Sequence, residues 1–217
     1  MANISSAFGT IQFQSNNKDI LNILYKSIDK MRGVYLTYLI DDFNNENVQK
    51  TDNSFTYSSS FDADGRWTYL NNISSYPYWI ELTEKEIQQL EQNEWSIYYD
   101  FTDEEPGCSV LYQASVIAEH KANTEIKNLD IQYNVTNYDY TWVNLVKYGY
   151  YDSLYDYIDC NYFVEDSESA QYFIDAFEEN MDDIAEYLRC DKGDINYILR
   201  LSGLEEIYIR AKKLLKA

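Results

Sequence analysis

Residues 167–188 read SESAQYFIDAFEENMDDIAEYL. Apolar side chains recur here at steps of 3, 1, 3, 4, 3 and 4 residues, the period of an α-helix with one apolar stripe. They are Ala170, Phe173, Ile174, Phe177, Met181, Ile184 and Leu188. The remaining surface is mostly acidic, with Glu168, Asp175, Glu178, Glu179, Asp182, Asp183 and Glu186. The stretch therefore predicts an amphipathic helix with a negatively charged outer face.

The acidity extends to both sides of this predicted helix. Between Tyr151 and Asp191 the sequence has thirteen carboxylates and one base, Arg189. The carboxylates outside the helix are Asp152, Asp156, Asp159, Glu165, Asp166 and Asp191. This local balance of −12 is more than half of the chain's net charge of −20. The charge is therefore concentrated in one part of the sequence.

The composition indicates a folded protein despite this charge. The 217 residues are 45% hydrophobic and include 23 Tyr, 9 Phe and 4 Trp, whereas acidic disordered chains have few aromatic residues. A net charge of −20 repels nucleic acid and anionic membranes and attracts basic surfaces. We therefore expect a basic protein partner, with no direct binding of nucleic acid and no membrane association.

Cysteine usage and the first residues give expectations about the compartment. Cys108, Cys160 and Cys190 are odd in number and widely spaced, so neither a disulfide framework nor a zinc site is expected. The N-terminal residues MANISS lack the basic and apolar regions of a signal peptide. No apolar run approaches the roughly 20 residues that span a bilayer. We expect a cytoplasmic protein without metal or cofactor.

Residues 1–138 show the patterns of an antiparallel sheet with two helices. Alternating and β-branched or aromatic runs predict strands at 4–14, 34–40, 54–61, 66–73, 95–102, 108–120 and 125–137. Helices are predicted at 18–31 and at 84–92. Thr83 and Glu86 form a capping box for the second helix.

After residue 138 the pattern becomes helical. Helices are predicted at 140–148, 153–160, 167–188, 194–201 and 204–216. The order of elements up to residue 102 fits a split βαβ fold best. In that fold, helices cover one face of an antiparallel sheet. The sequence therefore predicts an α+β fold with a ferredoxin-like domain at 1–138. An acidic, Tyr-rich helical layer at 139–217 is appended to it.

Two short stretches resemble a known kind of domain. They are GRWTYLNN at residues 65–72, and WSIYYDF at residues 95–101 followed by EEPG at residues 104–107. They are similar to an uncharacterised ferredoxin-like domain of phage and plasmid proteins, in which an aromatic-rich strand runs into a Glu-Pro-Gly turn. The resemblance covers about residues 4–138. It implies a ferredoxin-like fold and a mobile-element origin, and it implies no catalytic residues.

Two features could carry chemistry but have simpler explanations. His120 is the only histidine, and no nucleophile signature accompanies it, so we expect an ordinary surface or strand-end histidine. Asp62 and Asp64 before Gly65 resemble part of a calcium loop, but the other ligands of such a loop are missing. We therefore expect these residues to form the turn of a hairpin between strands 54–61 and 66–73.

A third feature is the pair Glu104 and Glu105, which could be considered as the carboxylates of a glycosidase. Adjacent residues in a turn rarely converge on one substrate, and residues 103–107 have the composition of a turn. We therefore expect a turn here. No P-loop and no GxGxxG pattern is present, so nothing supports a nucleotide enzyme.

Tyrosines are concentrated beside the acidic residues. Tyr combines a large apolar ring with a hydrogen-bonding hydroxyl and is enriched in interfaces. Eight tyrosines lie within 25 residues: Tyr138, Tyr140, Tyr148, Tyr150, Tyr151, Tyr155, Tyr157 and Tyr162. We expect half or more to pack between sheet and helices and several to be exposed beside the carboxylates.

These observations predict a non-enzymatic inhibitor that binds the nucleic-acid-binding surface of a basic partner. Carboxylates on helices can occupy the Lys and Arg contacts that normally bind phosphates. Together with the phage-like resemblance, this favours a host defence nuclease as partner, and hence an anti-CRISPR or anti-restriction protein. The expected partner-binding residues are Asp152, Tyr155, Asp156, Asp159, Glu168, Asp175, Glu178, Glu179, Asp182, Asp183 and Glu186.

Three other functions remain open from the sequence. The first is an acidic structural or assembly protein that docks through its tyrosines, with little dependence on salt. The second is a hydrolase whose site has no recognisable motif. The third is RNA binding by the sheet, with Tyr57, Trp67 and Tyr69 as stacking platforms, which the net charge opposes.

Overall fold

The computed structural model describes residues 4–29, 37–66, 68–74, 82–105 and 109–216. The chain divides into two compact units, Met1–Tyr138 and Asp139–Ala217. We call them the sheet unit and the helical unit. Each has its own hydrophobic core. The α+β class predicted from the sequence is confirmed, and the finer ferredoxin-like arrangement stays a prediction.

The sheet unit is built on one antiparallel sheet. Its strands are β1 (Ile4–Ser15), β2 (Thr37–Leu39), β3 (Gln49–Lys50), β4 (Phe55–Arg66), β5 (Trp95–Glu105), β6 (Val110–His120) and β7 (Asp130–Tyr138). They lie in the order β2-β4-β1-β5-β6-β7, and β3 also pairs with β4. The central strand β1 pairs with β4 and with β5, both antiparallel.

Helices cover one face of this sheet. They are α1 (Lys18–Asp29), α2 (Tyr69–Ser74) and α3 (Glu84–Gln92). Alternate residues of the strands point into this core, for example Ile11 and Phe13 of β1 and Tyr99 and Phe101 of β5. The predicted capping box of α3 is present: Thr83 Oγ1 accepts from the Glu86 amide, and Glu86 Oε2 accepts from the Thr83 amide. The opposite face of the sheet bears mostly polar side chains.

The predicted hairpin at residues 62–65 is wrong. These residues continue β4, which pairs with β1 without interruption from Ile4↔Arg66 to Ser15↔Phe55. The alternation of the strand explains this result, because Phe61 and Ala63 are buried while Asp62 and Asp64 are exposed. The strand predicted to follow is α2 instead. Its Tyr69 and Ile73 are buried and one helical turn apart.

Other predicted boundaries in the sheet unit are shifted. Residues 103–105 belong to β5 rather than to a turn, and residues 106–108 lie outside the described part of the chain. Residues 125–129 precede β7 as a loop. The predicted loop 41–53 contains a 3₁₀ turn, Asn45–Asn47, and β3. Of the strand predicted at 34–40, residues 34–36 lie outside the described residues, and Ile40 follows β2 and is exposed.

Within residues 139–216, which the structure describes, the helical unit has five helices, as predicted. They are α4 (Trp142–Lys147), α5 (Leu154–Asn161), α6 (Ser167–Tyr187), α7 (Ile195–Ser202) and α8 (Glu205–Leu214). The apolar stripe of α6 lies at the centre of their core, where Phe173 and Phe177 are fully buried. Trp142 of α4 stacks on Phe173 with ring centroids 6.3 Å apart. Among the helices that the structure describes, none is both long enough and apolar enough to cross a membrane.

The C-terminal end of α6 stores backbone strain at Arg189. Its φ of 55° lies in the left-handed region, where glycine normally ends a helix. Its amide donates to the Glu186 carbonyl, and the Cys190 amide donates to the Ala185 carbonyl, each at 3.0 Å. The cap therefore holds a side chain in a conformation that favours glycine.

We expect Arg189→Gly to be more stable than Arg189→Ala by about 1 kcal/mol. Both variants remove the same charge, so their difference isolates the backbone conformation. The measurement is the free energy of unfolding of the helical unit from urea titration. Equal stability of the two variants would contradict the prediction.

Candidate partner-binding surface

The seven carboxylates predicted on α6 form one exposed surface, which we call the acidic face. The apolar stripe of the helix faces the core of the helical unit, so the opposite side of the helix faces solvent. All seven are exposed: Glu168, Asp175, Glu178, Glu179, Asp182, Asp183 and Glu186. Helix formation therefore brings onto one surface residues that are 18 positions apart in sequence.

The middle of the acidic face is a straight row along the helix. Glu168, Tyr172, Asp175, Glu179, Asp182 and Glu186 follow one another at steps of four and three residues. Residues with this spacing lie one above another on an α-helix. Glu178 and Asp183 flank the row on its two sides. Tyr172 occupies the gap between Glu168 and Asp175, and 66% of its surface is exposed.

Two exposed aromatic residues, Tyr172 and Phe163, lie near the start of α6 in the chain. Tyr172 is stacked on Tyr162, with ring centroids 5.5 Å apart and planes inclined by 23°. Tyr162 in turn packs edge-on against Trp142. Phe163, next to Tyr162, is 71% exposed. Tyr172 therefore packs on the helical core through Tyr162. This contact holds its ring in place while the other side of the ring faces solvent.

The sequence prediction missed Tyr172 and Phe163. A signal for Tyr172 was available, because it lies four residues after Glu168 and three before Asp175, on the outer face of the predicted helix. No comparable signal marks Phe163, which belongs to the segment between α5 and α6.

The potential of the acidic face is weakly compensated within the helical unit. Lys192 Nζ lies 2.9 Å from Asp182 Oδ2, and both side chains are more than half exposed, so this ion pair contributes little to stability. The hydrogen bond to Asp182, together with the charges of Asp182, Glu186 and Asp183, raises the pKa of Lys192. At the other end, Asp166 caps α6 and accepts from the Ser169 amide, which lowers the pKa of Asp166.

The four predicted residues around α5 have different surroundings. Asp152, Tyr155 and Asp159 are exposed, with Tyr155 at 42%. Asp156 is half-buried, and its Oδ2 accepts a 2.6 Å hydrogen bond from Ser153 Oγ while its amide donates to the same hydroxyl. Asp156 therefore helps to start α5.

The expectation that several tyrosines of residues 138–162 are exposed is wrong. Tyr155 is exposed, and the other seven are half-buried. The ring contacts explain this for several of them, because Tyr151, Tyr157, Tyr162 and Trp142 pack on one another in the helical core. Most tyrosines here contribute to packing.

His120 ends β6, as expected, but it is buried rather than on the surface. Its ring stacks on Trp95 with centroids 5.0 Å apart. Nδ1 lies 3.1 Å from the Asn93 carbonyl oxygen and Nε2 lies 3.2 Å from that of Thr124. Both ring nitrogens therefore face protein oxygens, which supports a structural role.

A second group of polar residues, which the sequence prediction missed, is buried at one end of the sheet unit. Asp103 is completely buried and accepts hydrogen bonds from Ser5 Oγ, from the Tyr112 hydroxyl and, at 2.7 Å, from the Tyr69 amide. The Tyr112 hydroxyl in turn accepts from the Leu70 amide at 3.2 Å. Asp103 therefore joins β1, β6 and the first residue of α2.

The electrostatics of this group follow from burial. Burial raises the pKa of Asp103, and the negative charge of Glu105 raises it further, although the three hydrogen bonds act in the opposite direction. Burial and the Asp103 carboxylate raise the pKa of the Tyr112 hydroxyl well above its usual range. Glu105 Oε1 is buried and has no hydrogen-bond partner among the described residues.

The expectation that Glu104 and Glu105 lie in a turn is wrong, because both are buried strand residues. Adjacent strand residues point to opposite faces of the sheet, so the two carboxylates do not converge on one point. Asp62 and Asp64 are exposed residues of β4, without the loop that a calcium site of the EF-hand type needs.

The residues proposed as stacking platforms for RNA do not form one. Tyr57 and Tyr69 are 1% and 2% exposed, and both point into the core of the sheet unit. Trp67 lies outside the described residues.

Each unit has shallow cavities. One of about 420 Å³ lies at the end of β1 and β5 and is lined by Gln14, Glu94, Glu119 and Lys121 among others. Another of about 450 Å³ lies between α4 and the end of α6, with Asp183, Glu186, Lys147 and Arg189 in its wall. Within the described ranges, no three His, Cys, Asp or Glu side chains are grouped so as to hold a metal ion.

The chain matches no protein-family model, no curated protein and no solved structure. The acidic face is therefore the feature of this chain that indicates a function.

Proposed function

We propose that this protein is a non-enzymatic inhibitor that binds the basic, nucleic-acid-binding surface of a partner through the acidic face of α6. The observation that carries the proposal is the density of carboxylates along the helix. Asp175 to Glu186 span about 16 Å, and the six carboxylates in this segment lie on average about 3 Å apart along the axis, in alternating steps of about 4.5 and 1.5 Å. One strand of duplex DNA carries a phosphate every 3.4 Å or so.

This similarity gives the acidic face a defined type of partner. A groove lined with Lys and Arg to neutralise a phosphate backbone meets a comparable line of negative charge on α6. The net charge of −20 adds long-range attraction to such a surface. It also repels free nucleic acid, so the protein competes with the partner's substrate without binding it.

Exposed aromatic residues supply contacts that charge alone does not. Tyr172 is part of the acidic row and Phe163 is exposed near its start. Interfaces commonly place most of their binding energy in a few such aromatic side chains. Because the core already fixes Tyr172 through Tyr162, little side-chain freedom is lost on binding.

The concrete form of this proposal is an anti-CRISPR or anti-restriction protein whose partner is a host defence nuclease. The resemblance of residues 65–72 and 95–107 to phage and plasmid proteins supports this form. We further propose that the sheet unit has the ferredoxin-like topology. Its support is that α1 connects β1 to β2, α3 lies between β4 and β5, and these strands lie in the order β2-β4-β1-β5.

A second candidate function is an acidic assembly protein that docks through its exposed aromatic residues. The exposure of Phe163 and Tyr172 favours it. The two proposals differ in their response to salt, because binding through apolar contacts changes little with ionic strength whereas binding through carboxylates weakens.

The test is a pull-down from host lysate with three forms of the chain, followed by affinity measurement on the captured protein. The test variant is Glu178→Gln/Glu179→Gln/Asp182→Asn/Asp183→Asn. The control removes four exposed carboxylates of the sheet unit instead, Asp52→Asn/Asp62→Asn/Asp64→Asn/Glu119→Gln, and so has the same net charge.

We expect the captured partner to be a nucleic-acid-binding protein that is released by salt and displaced by DNA or RNA. The test variant should bind it roughly thirtyfold more weakly, with a flatter salt dependence, because four charge contacts are lost. The control should bind nearly as the wild type does. Equal weakening of both variants would mean that only net charge matters, and an unchanged test variant would exclude the acidic face.

A further inference from the structure

The two edges of the sheet differ in how well they are protected from pairing with another strand. One edge is formed by β2 and β3, which are three and two residues long. The other is β7, a nine-residue strand whose pairing with β6 runs regularly from Leu111↔Tyr138 to Glu119↔Asp130. No strand among the described residues pairs with the outer side of β7.

Strand β7 lacks the features that usually protect an edge. Natural edge strands carry Lys, Pro, bulges or inward charges, or they are very short. Residues 131–137 of β7 read IQYNVTN, without a charged side chain and without proline. Five of these seven residues are exposed, and Ile131 and Val135 are half-buried. The nearest charged residues in the sequence are Asp130 and Asp139, which lie outside the segment.

The segment is also complementary to itself. When two copies pair antiparallel about Asn134, Tyr133 lies opposite Val135 of the second copy, and Gln132 lies opposite Thr136. Ile131, Tyr133 and Val135 then form one apolar surface on the core side of the extended sheet. The other side pairs uncharged polar residues. Aromatic and β-branched side chains in opposite positions stabilise a sheet, and here the two-fold symmetry produces each such pair twice.

We propose that β7 pairs antiparallel with β7 of a second copy of this chain, joining two sheets into one. Charge as well as side-chain complementarity favours a second copy of the chain as the partner of β7. The segment 131–137 opposes no like charges across the two-fold axis, whereas a symmetric contact through the acidic face of α6 would place carboxylates opposite carboxylates. The remaining repulsion is between two chains of net charge −20, and salt screens it.

The experiment is sedimentation equilibrium of the full chain at low and high salt over a range of protein concentrations. We expect a monomer–dimer equilibrium that shifts toward dimer as salt rises. This is the opposite of the salt response expected for a basic partner, so failure of one proposal does not imply failure of the other. A chain that stays monomeric at both salt concentrations overturns the dimer.

Three variants locate the contact. Asn134→Lys places two like charges opposite each other and should weaken the dimer roughly fivefold, although it reduces the net charge that opposes association. Tyr133→Ser removes two cross-strand pairs and should weaken it about tenfold. Thr10→Lys, an exposed residue of the interior strand β1, is the matched control and should associate at least as well as wild type. Dimerisation unaffected by the β7 variants overturns the proposal.

Discussion

Replacing Asp103 by Ala is expected to lower the free energy of unfolding of the sheet unit by about 3–5 kcal/mol. The substitution leaves the Ser5 hydroxyl, the Tyr112 hydroxyl and the Tyr69 amide without their acceptor in a buried site. Each such group costs about 1–3 kcal/mol when it is left unsatisfied. Because these donors come from β1, β6 and α2, the loss affects three elements at once.

Asp103→Asn should be much milder, at about 1 kcal/mol. Its side-chain oxygen can still accept from the Tyr69 amide and the Tyr112 hydroxyl, and its amino group can donate to Ser5. The measurement is urea-dependent hydrogen exchange followed by mass spectrometry, which reports on the two units separately. Peptides of the helical unit serve as the internal control. Asp62→Ala, an exposed position of the same sheet, should have little effect.

Wild type and Asp103→Asn are also expected to differ in how their stability depends on pH. Burial raises the pKa of Asp103 above its value in the unfolded chain. The folded sheet unit then holds the proton more tightly, so this contribution to stability is complete below the unfolded pKa and is lost as pH rises through the folded pKa. We expect wild type to lose more stability than Asp103→Asn over that interval. Parallel pH profiles of the two forms would refute the assignment to Asp103.

Gly9→Ala is expected to destabilise the sheet unit by about 3 kcal/mol or more. A Cβ at Gly9 of β1 would lie 2.1 Å from the Asp100 carbonyl oxygen and 2.6 Å from the Phe101 Cα. These are backbone atoms of the neighbouring strand, so no side-chain rotation relieves the clash. Relief requires β1 and β5 to separate locally.

The ring packing around Gly9 explains why there is no room for a side chain at this position. Gly9 lies between Phe61 of β4 and Phe101 of β5 in the sheet register. The two rings contact each other with centroids 6.2 Å apart. Gly193→Ala is the control, because its Cβ would meet only Asp191 Oδ1 at 3.4 Å. A cost for Gly9→Ala similar to that for Gly193→Ala in urea unfolding would contradict this explanation.

The helical part of the fold was predictable because its determinants are local. The apolar spacing from Ala170 to Ile184 fixes both the existence of α6 and the direction of its acidic face. N-cap side chains such as Ser153 and Asp194 mark the starts of neighbouring helices.

The errors in the sheet unit have a different origin. An Asp-Gly step favours a turn locally, but the twelve-residue β1 pairs along the whole of β4 and keeps residues 62–65 extended. Likewise, Asp103 and Glu105 are acidic and lie before Pro106, so they indicate a turn in the sequence. Their burial depends on Ser5, Tyr69 and Tyr112, which are distant in sequence. No local pattern contains that information.

The exposure of the aromatic residues could likewise be predicted only where it depends on local sequence. Whether a tyrosine near residue 150 is half-buried or open depends on contacts among α4, α5 and α6, which the composition does not specify. The outward position of Tyr172, in contrast, follows from the helical period alone.

The central position of β1 has a consequence for the order of folding. Its two partners are distant in the chain: Ser6 pairs with Asp64 on one side and with Glu104 on the other. Bringing such separated segments together is slow, since loop-closure entropy opposes it. The helices of the helical unit contact partners that lie closer in the sequence, which favours faster folding. During synthesis β1 leaves the ribosome long before β5 exists, so one hydrogen-bonding edge of β1 stays without its native partner until residues 95–105 have been made.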